Sequence, residues 1–259
     1  MKAILSACRA QAPSQCRRSC ARDFKRWSDC HGLPAESFDR LAAEWRRDIY
    51  APGDTLFHQD SLSSHIHFVH TGRVKLVRSE DTGRHRIVRI IEGPDILGMI
   101  AILTGQPYEY TGEVLEESSI YRIETAHFQK LWDSDPELPR LFVSLLAKRL
   151  DDAEEAGSDL ALRMIRERVA KLILRCEEKS DARGIPVSLR LSRQDLAALL
   201  GTAPEVVSRT ITSLATDRLI SVKGRMVLVL NRTGLQQAAG ITSMSLKKND
   251  FRHSPFGMA

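Results

Sequence analysis

No uninterrupted run of about 20 apolar residues, the length a membrane-spanning helix needs, occurs in this chain of 259 residues. The most apolar stretch, 87–103, is broken by Arg89, Glu92 and Asp95. An export signal is missing as well. The apolar part of the first eight residues is at most five long, whereas signal peptides need about 7–15. Arg9, Arg17, Arg18, Arg22, Lys25 and Arg26 follow it at once. These absences predict a cytoplasmic protein with no membrane partner. No P-loop, G-x-S-x-G or H-E-x-x-H motif is present and no catalytic triad can be assembled, so the chain is expected not to be an enzyme.

What is present is an ordinary globular composition, 42% hydrophobic and 27% charged. That excludes intrinsic disorder, collagen-like repeats and a disulfide-dense miniprotein. The length leaves room for one large domain or two small ones. The net charge of +5 is unevenly spread. Residues 1–31 carry seven basic side chains against Asp23 and Asp29, residues 32–189 are acidic on balance, and residues 190–259 carry ten basic against four acidic. Such asymmetry points to one part that meets a polyanion and another with a different task.

Four of the five cysteines, Cys8, Cys16, Cys20 and Cys30, fall within 23 residues; only Cys176 lies apart, in an apolar helical stretch that reads as a packed thiol. In a reducing compartment, clustered thiols are more often metal ligands or redox sensors than disulfides. Four thiolates can hold a [4Fe–4S] cluster. Neighbouring Arg and Lys lower thiol pKa values and offset a cluster's negative charge. A structural zinc ion and a redox dithiol remain open alternatives; only Cys16 and Cys20 have the spacing within a pair that zinc usually takes.

Residues 33–47 read as a short amphipathic helix with Phe38, Leu41, Ala42 and Trp45 at helical spacing. Short apolar runs at 66–70, 74–77, 87–91 and 119–123 follow, separated by Gly, Pro, Asp and Ser turn signals. Strands at this interval predict an antiparallel sandwich or roll. A long helix opens at Asp135-Pro136-Glu137. Phe142, Leu146, Leu150, Ala153, Gly157, Leu160 and Met164 step through it at close to the 3.5-residue period of a coiled-coil seam. Two readings compete, a core helix covering the roll and a homodimer seam; the helix is too long for a roll of about 90 residues to bury alone, which favours the seam. Beside that seam Asp151, Asp152, Glu154 and Glu155 would face their copies and hold pairing near its balance point. A second helix is expected over 163–178.

The C-terminal third opens with Ser192, a helix N-cap, and a helix to Leu200. Gly201-Thr202 makes a turn, and a second helix over 203–214 tolerates Pro204 in its first turn. Two short helices joined by a Gly-containing turn form a helix-turn-helix, and two small strands about Lys223-Gly224-Arg225 add a wing. Glu205, Ser208 and Arg209 share one face of the second helix. A carboxylate can accept from cytosine N4, and Arg can grip guanine O6 and N7. Arg190, Arg193, Lys223 and Arg225 are suited to phosphate contacts, which add affinity but little sequence information.

Over residues 33–235 the sequence resembles the Crp/Fnr family of bacterial transcription regulators. The resemblance is carried by Pro52-Gly53-Asp54-Thr55-Leu56-Phe57, His70-Thr71-Gly72-Arg73-Val74-Lys75, Gly93-Pro94-Asp95-Ile96-Leu97-Gly98 and the helix-turn-helix, in that order. It implies an α+β fold: an antiparallel β-roll of the cyclic-nucleotide-binding type, a long dimerisation helix and a C-terminal winged helix-turn-helix. The corresponding divisions are a cysteine-rich sensor segment at 1–32, the roll at 33–135, the dimerisation helix at 136–165, the DNA-binding domain at 166–240 and a basic tail at 241–259 expected to be disordered. The Glu-x-x-Ser-Arg pattern is similar to the Fnr branch and implies double-stranded DNA with half-sites resembling TTGAT in inverted repeat, with RNA polymerase as a further partner. Fnr-type oxygen sensors carry cluster ligands just upstream of the roll, where cluster state sets dimerisation. Here the spacing departs from that pattern, and the ligand usually found within the roll aligns with Tyr121, so Cys8 would have to replace it. A cyclic nucleotide is not expected. No Arg occurs between Arg89 and Arg122 to hold its phosphate, and Glu109 would repel it.

Overall fold

The structure, a computed structural model, describes residues 32–180, 187–188, 191–224 and 226–241. The four clustered cysteines, Arg190, Arg225 and the basic tail beyond 241 lie outside the described residues. The chain divides into two units, with the boundary between Leu150 and Asp151.

In the first unit, α1 (Ala35–Glu44) precedes β1 (Arg46–Tyr50), β2 (Thr55–Phe57), β3 (His65–Thr71), β4 (Arg73–Ser79), β5 (His85–Glu92) and β6 (Asp95–Leu97). A short helix α2 (Met99–Thr104) then leads to β7 (Thr111–Val114), β8 (Ser118–Glu124) and α3 (Thr125–Ser134). Two antiparallel four-stranded sheets form, in the orders β1-β8-β3-β6 and β2-β7-β4-β5. The turn between β3 and β4 depends on Gly72. Its φ is 102°, and a Cβ there would lie 2.1 Å from Ser118 Oγ, so no other residue fits both the backbone and the space.

β3 is buried on both faces. Val69 joins Val74, Leu76, Ile91, Leu97, Val114 and Ile120 between the sheets. Ile66 and Phe68 turn the other way, into a second core with Phe38, Leu41, Phe128, Leu138 and Leu141 from the helices.

The long helix is α4 (Glu137–Leu162). Its start is set by Asp135, 2% exposed, which accepts the Glu137 backbone N–H at 3.1 Å and pairs with Arg40 at 2.7 Å. Burial alone would raise the Asp135 pKa, but hydrogen bonds from Arg40, Ser37 and the Glu137 N–H outweigh it and hold the group below the usual carboxylate range.

The expected seam is corrected here. Phe142 is 1% exposed and packs its ring 5.1 Å from Phe128 and 5.5 Å from Trp132, inside the roll's own core. Leu146 is half-buried against the same cluster. Phe142 is therefore closed to a second copy of the chain, and Leu146 is only partly open to one. The apolar surface left open keeps the expected Leu150 (61% exposed), Ala153 and Gly157 and continues through Ala147 and Val143 (64%) in place of Leu146 and Phe142. Arg149 fastens this half of α4 to the roll by donating to Asp95 Oδ1 at 2.9 Å and to the Ile96 carbonyl.

In the second unit the last turns of α4 are followed by α5 (Ile165–Ser180), β9 (Val187–Ser188), α6 (Arg193–Leu200), α7 (Pro204–Thr216), β10 (Ile220–Lys223), β11 (Met226–Val229) and α8 (Arg232–Ala238). The strands form one antiparallel sheet in the order β10-β11-β9. Val169, Ala170, Ile173 and Leu174 of α5, Leu196 and Leu200 of α6, Val207, Ile211 and Leu214 of α7, and Leu235 of α8 are all buried. The acidic group is also corrected: Glu155 is bonded within its own chain, to Lys171 at 2.8 Å and Arg175 at 3.1 Å. Asp151, Asp152 and Glu154 are exposed. Leu160 is half-buried, with its Cδ2 3.4 Å from where a Cβ on Gly201 would stand, while Met164 is 76% exposed.

Candidate nucleic-acid interface

The helix-turn-helix is built from local chemistry. Ser192 caps α6: its Oγ accepts the Asp195 N–H at 2.9 Å and donates to Asp195 Oδ2 at 2.6 Å. Gly201 ends α6 in the left-handed conformation, φ 63°, which glycine adopts without strain. The freed Leu200 carbonyl accepts from Arg168 Nη1 at 2.6 Å. Pro204 sits in the first turn of α7, where its missing N–H costs nothing.

α7 is amphipathic in the way a groove-reading helix requires. Val207, Thr210, Ile211 and Leu214 are buried; Glu205, Ser208, Arg209 and Thr212 are exposed on the opposite side. None of the Glu205, Ser208 or Arg209 side chains has a hydrogen-bond or ion-pair partner among the described residues. A carboxylate, a hydroxyl and a guanidinium are thus presented together with their bonding capacity unspent. Thr212, one turn further along, belongs to the same face and was missed from sequence, although its spacing from Ser208 could have shown it; its hydroxyl donates to the Ser208 carbonyl at 3.0 Å. α7 is steadied from below by Arg166, which donates to Ser213 Oγ at 2.7 Å and pairs with Asp217.

Of the cations expected to meet phosphates, Arg193 is the half-buried first residue of α6 and Lys223 is exposed at the end of β10. The turn after Lys223 passes through Gly224. Cys176 is half-buried on α5 and forms no disulfide among the described residues.

The roll offers its own candidate site, the segment between α2 and β7. Tyr108 fills it. Its ring, 3% exposed, stacks on Phe57 at 4.3 Å, and its hydroxyl donates to the His65 carbonyl at 2.6 Å and accepts the His65 N–H at 3.0 Å. Beside Phe57 lies His67, 3% exposed, whose Nδ1 has no partner among the described residues. Burial, with smaller contributions from His65 and Arg122, pushes its pKa down to about 3, so the ring is neutral.

The position of Tyr121 bears on a metal cofactor. It lies on β8 in an aromatic group, 6.3 Å from Phe68, 6.4 Å from Trp45 and 5.8 Å from His70. Among the described residues no group of three or more His, Cys, Asp or Glu is placed to hold a metal ion.

No helix of the described residues is long and apolar enough to cross a membrane. Residues 47–135 match the cyclic nucleotide-binding domain and residues 167–238 the Crp-like helix-turn-helix domain. A roll of the first kind followed by a reading head of the second defines a DNA-binding regulator of transcription. The chain is 26% identical over 205 residues to the cAMP-activated global transcriptional regulator Vfr of Pseudomonas aeruginosa, covering 77% of this chain and 96% of the relative. It is 26% identical over 191 residues to the transcriptional activator protein FnrA of Stutzerimonas stutzeri, covering 73% and 78%. The structure of FixK2 from Bradyrhizobium japonicum superposes with a TM-score of 0.68 at 23% identity, covering 75% of this chain and 96% of that one, which shows the shared fold. With both domains present in this order, the chain belongs to the Crp/Fnr family, whose members here are transcription regulators and not enzymes.

Proposed function

We propose that this regulator reads an inverted repeat of TTGAT-like half-sites through α7, as a homodimer. The observation that carries the reading is the unpartnered face of Glu205, Ser208 and Arg209. Glu205 accepts from a cytosine N4, Arg209 grips a guanine bidentately, and Ser208 tunes the site between Fnr-type and Crp-type half-sites. Arg193 and Lys223 serve phosphates, as would Arg190 and Arg225. Pairing uses the open stripe of Val143, Ala147, Leu150, Ala153 and Gly157, whose spacing suits a helix–helix seam. Two recognition helices then reach successive major grooves about 34 Å apart. RNA polymerase is the further partner that this mode of regulation needs.

The roll acts as a frame and takes no cyclic nucleotide. Tyr108 and Phe57 occupy the space between the sheets, and the α2–β7 segment supplies no cation for a phosphate. Sensing falls to Cys8, Cys16, Cys20 and Cys30, which would hold a [4Fe–4S] cluster between them. Such a cluster supplies an oxidant-sensitive thiolate-bound group when present. Tyr121, packed among aromatic rings, offers no thiolate in its place.

Two measurements test the reading. Fluorescence anisotropy with the full chain is expected to favour a duplex bearing the TTGAT inverted repeat over a scrambled duplex by about 10³-fold or more; equal affinity contradicts it. Anaerobic purification is expected to yield iron and a broad absorption near 400 nm that bleaches in air. A colourless protein with stoichiometric zinc, or with thiols that titrate as a reversible pair, replaces the cluster by one of its alternatives and leaves the DNA reading intact.

A further inference from the structure

The second half of α4 is held by charge. Lys171 of α5, its side chain 14% exposed, donates to Glu155 Oε1 at 2.8 Å and to Asp159 Oδ2 at 2.5 Å. Arg163 takes the other oxygen of Asp159 at 2.7 Å and also donates to the Ala239 carbonyl at the end of α8. Arg175 takes the other oxygen of Glu155 at 3.1 Å. Burial alone would raise the Glu155 pKa, yet the bond from Lys171 and the charges of Arg175 and Lys171 hold it below the usual range. From the same α5, Arg166 reaches Ser213 and Asp217 at the end of α7, and Arg168 reaches the Leu200 carbonyl. Cations on α5 therefore run in two directions, to the long helix on one side and to the reading helices on the other.

We infer that Lys171 is a positioning residue for DNA reading: it bridges two carboxylates of the long helix and so fixes the direction in which α7 is presented. Lys171 itself is too buried and too fully engaged to meet a phosphate. Charged contacts of this kind require particular donor–acceptor geometry, so they suit a joint whose angle matters. The inference deepens the paired reading above and rests on it, because an angular error harms a two-site grip far more than a one-site grip.

The test uses the full chain and two duplexes, one with the TTGAT inverted repeat and one with a single half-site and a scrambled partner. Lys171→Met keeps the apolar stem and deletes the charge, leaving Asp159 and Glu155 still paired with Arg163 and Arg175. It is expected to weaken binding to the inverted repeat about tenfold while half-site binding stays within about twofold. Lys171→Arg is expected to restore the difference. Asp159→Asn, which loses the same bridge from the other side, serves as the second variant should Lys171→Met fold poorly. Equal weakening on both duplexes, or no change on the repeat, overturns the positioning role. A wild-type chain that does not distinguish the two duplexes overturns the paired reading and this inference together.

Discussion

The two halves of α4 are secured by opposite means. From Leu138 to Leu145 the helix is sunk in an apolar core with Phe128 and Trp132, and Arg149 beyond it ties the helix to Asp95 and Ile96 of β6. From Glu155 to Arg163 it is held by a chain of ion pairs to Lys171 and Arg175. The apolar half gains from area removed from water and is not weakened by ionic screening. The ionic half gains less, and what it has depends on geometry and screening. The difference teaches that one helix is anchored by burial where it meets the roll's core and by directional charge where it meets α5.

Phe142→Ala tests the apolar half and should have the largest effect. Truncating a ring 1% exposed is expected to destabilise the first unit by about 3–5 kcal/mol in urea unfolding, by the same amount at low and high salt. A loss below about 1 kcal/mol would mean that Phe142 faces outward after all.

Acid should act on the roll before it acts on the ionic joint. His67 has a pKa pushed down to about 3 from 6.5, so the unfolded chain binds its proton first. Stability is then lost as pH falls below about 6.5, at a slope of about 1.4 kcal/mol per pH unit while the folded ring stays neutral. Asp135 works in the same direction lower down: its depressed pKa contributes stability that is complete above the ordinary carboxylate range and is lost as pH falls through its folded value. A His67→Leu variant should remove the first slope and leave the second; an unchanged profile would show that His67 is not the group responsible.

Salt should act only on the ionic half. Raising the ionic strength from about 0.1 to 1 M shortens the screening length from about 10 to 3 Å. Hydrogen exchange is expected to rise in the last turns of α4 by an amount reflecting about 1 kcal/mol or less, and to stay unchanged around Leu138 to Leu145. Uniform behaviour along the helix would erase the contrast.

Much of this was legible in the sequence where local rules govern. Gly72, Gly201, Ser192 and Pro204 each announce a turn or cap by their own stereochemistry, and the structure uses them so. α2 and α3 were not foreseen, since a short helix at the end of an apolar run has no periodicity long enough to distinguish it from a strand. The expected stripe differs at its start, at Phe142 and Leu146, because Leu141, Phe142 and Val143 are all apolar. Only the roll's demand for the largest ring decides that Phe142 goes inward and Val143 outward. Glu155, expected to face its copy beside the seam, pairs instead with Lys171 and Arg175, which lie across the break at Arg163 and Met164 and beyond the reach of local pattern. On α7 the shared face of Glu205, Ser208 and Arg209 follows from helical spacing because tertiary packing there leaves the outer side exposed, whereas Thr212 on that face is seen only in the structure.

The central claim is that α7 reads bases through Arg209 and its neighbours. It is tested most directly by titrating wild-type and Arg209→Ala proteins with the TTGAT inverted repeat and with a scrambled duplex at one salt concentration. The account predicts a loss of roughly 1–3 kcal/mol per half-site on the repeat with relaxed preference at one base pair, and little change on scrambled DNA. Equal loss on both duplexes would make Arg209 a phosphate contact and contradict the assignment.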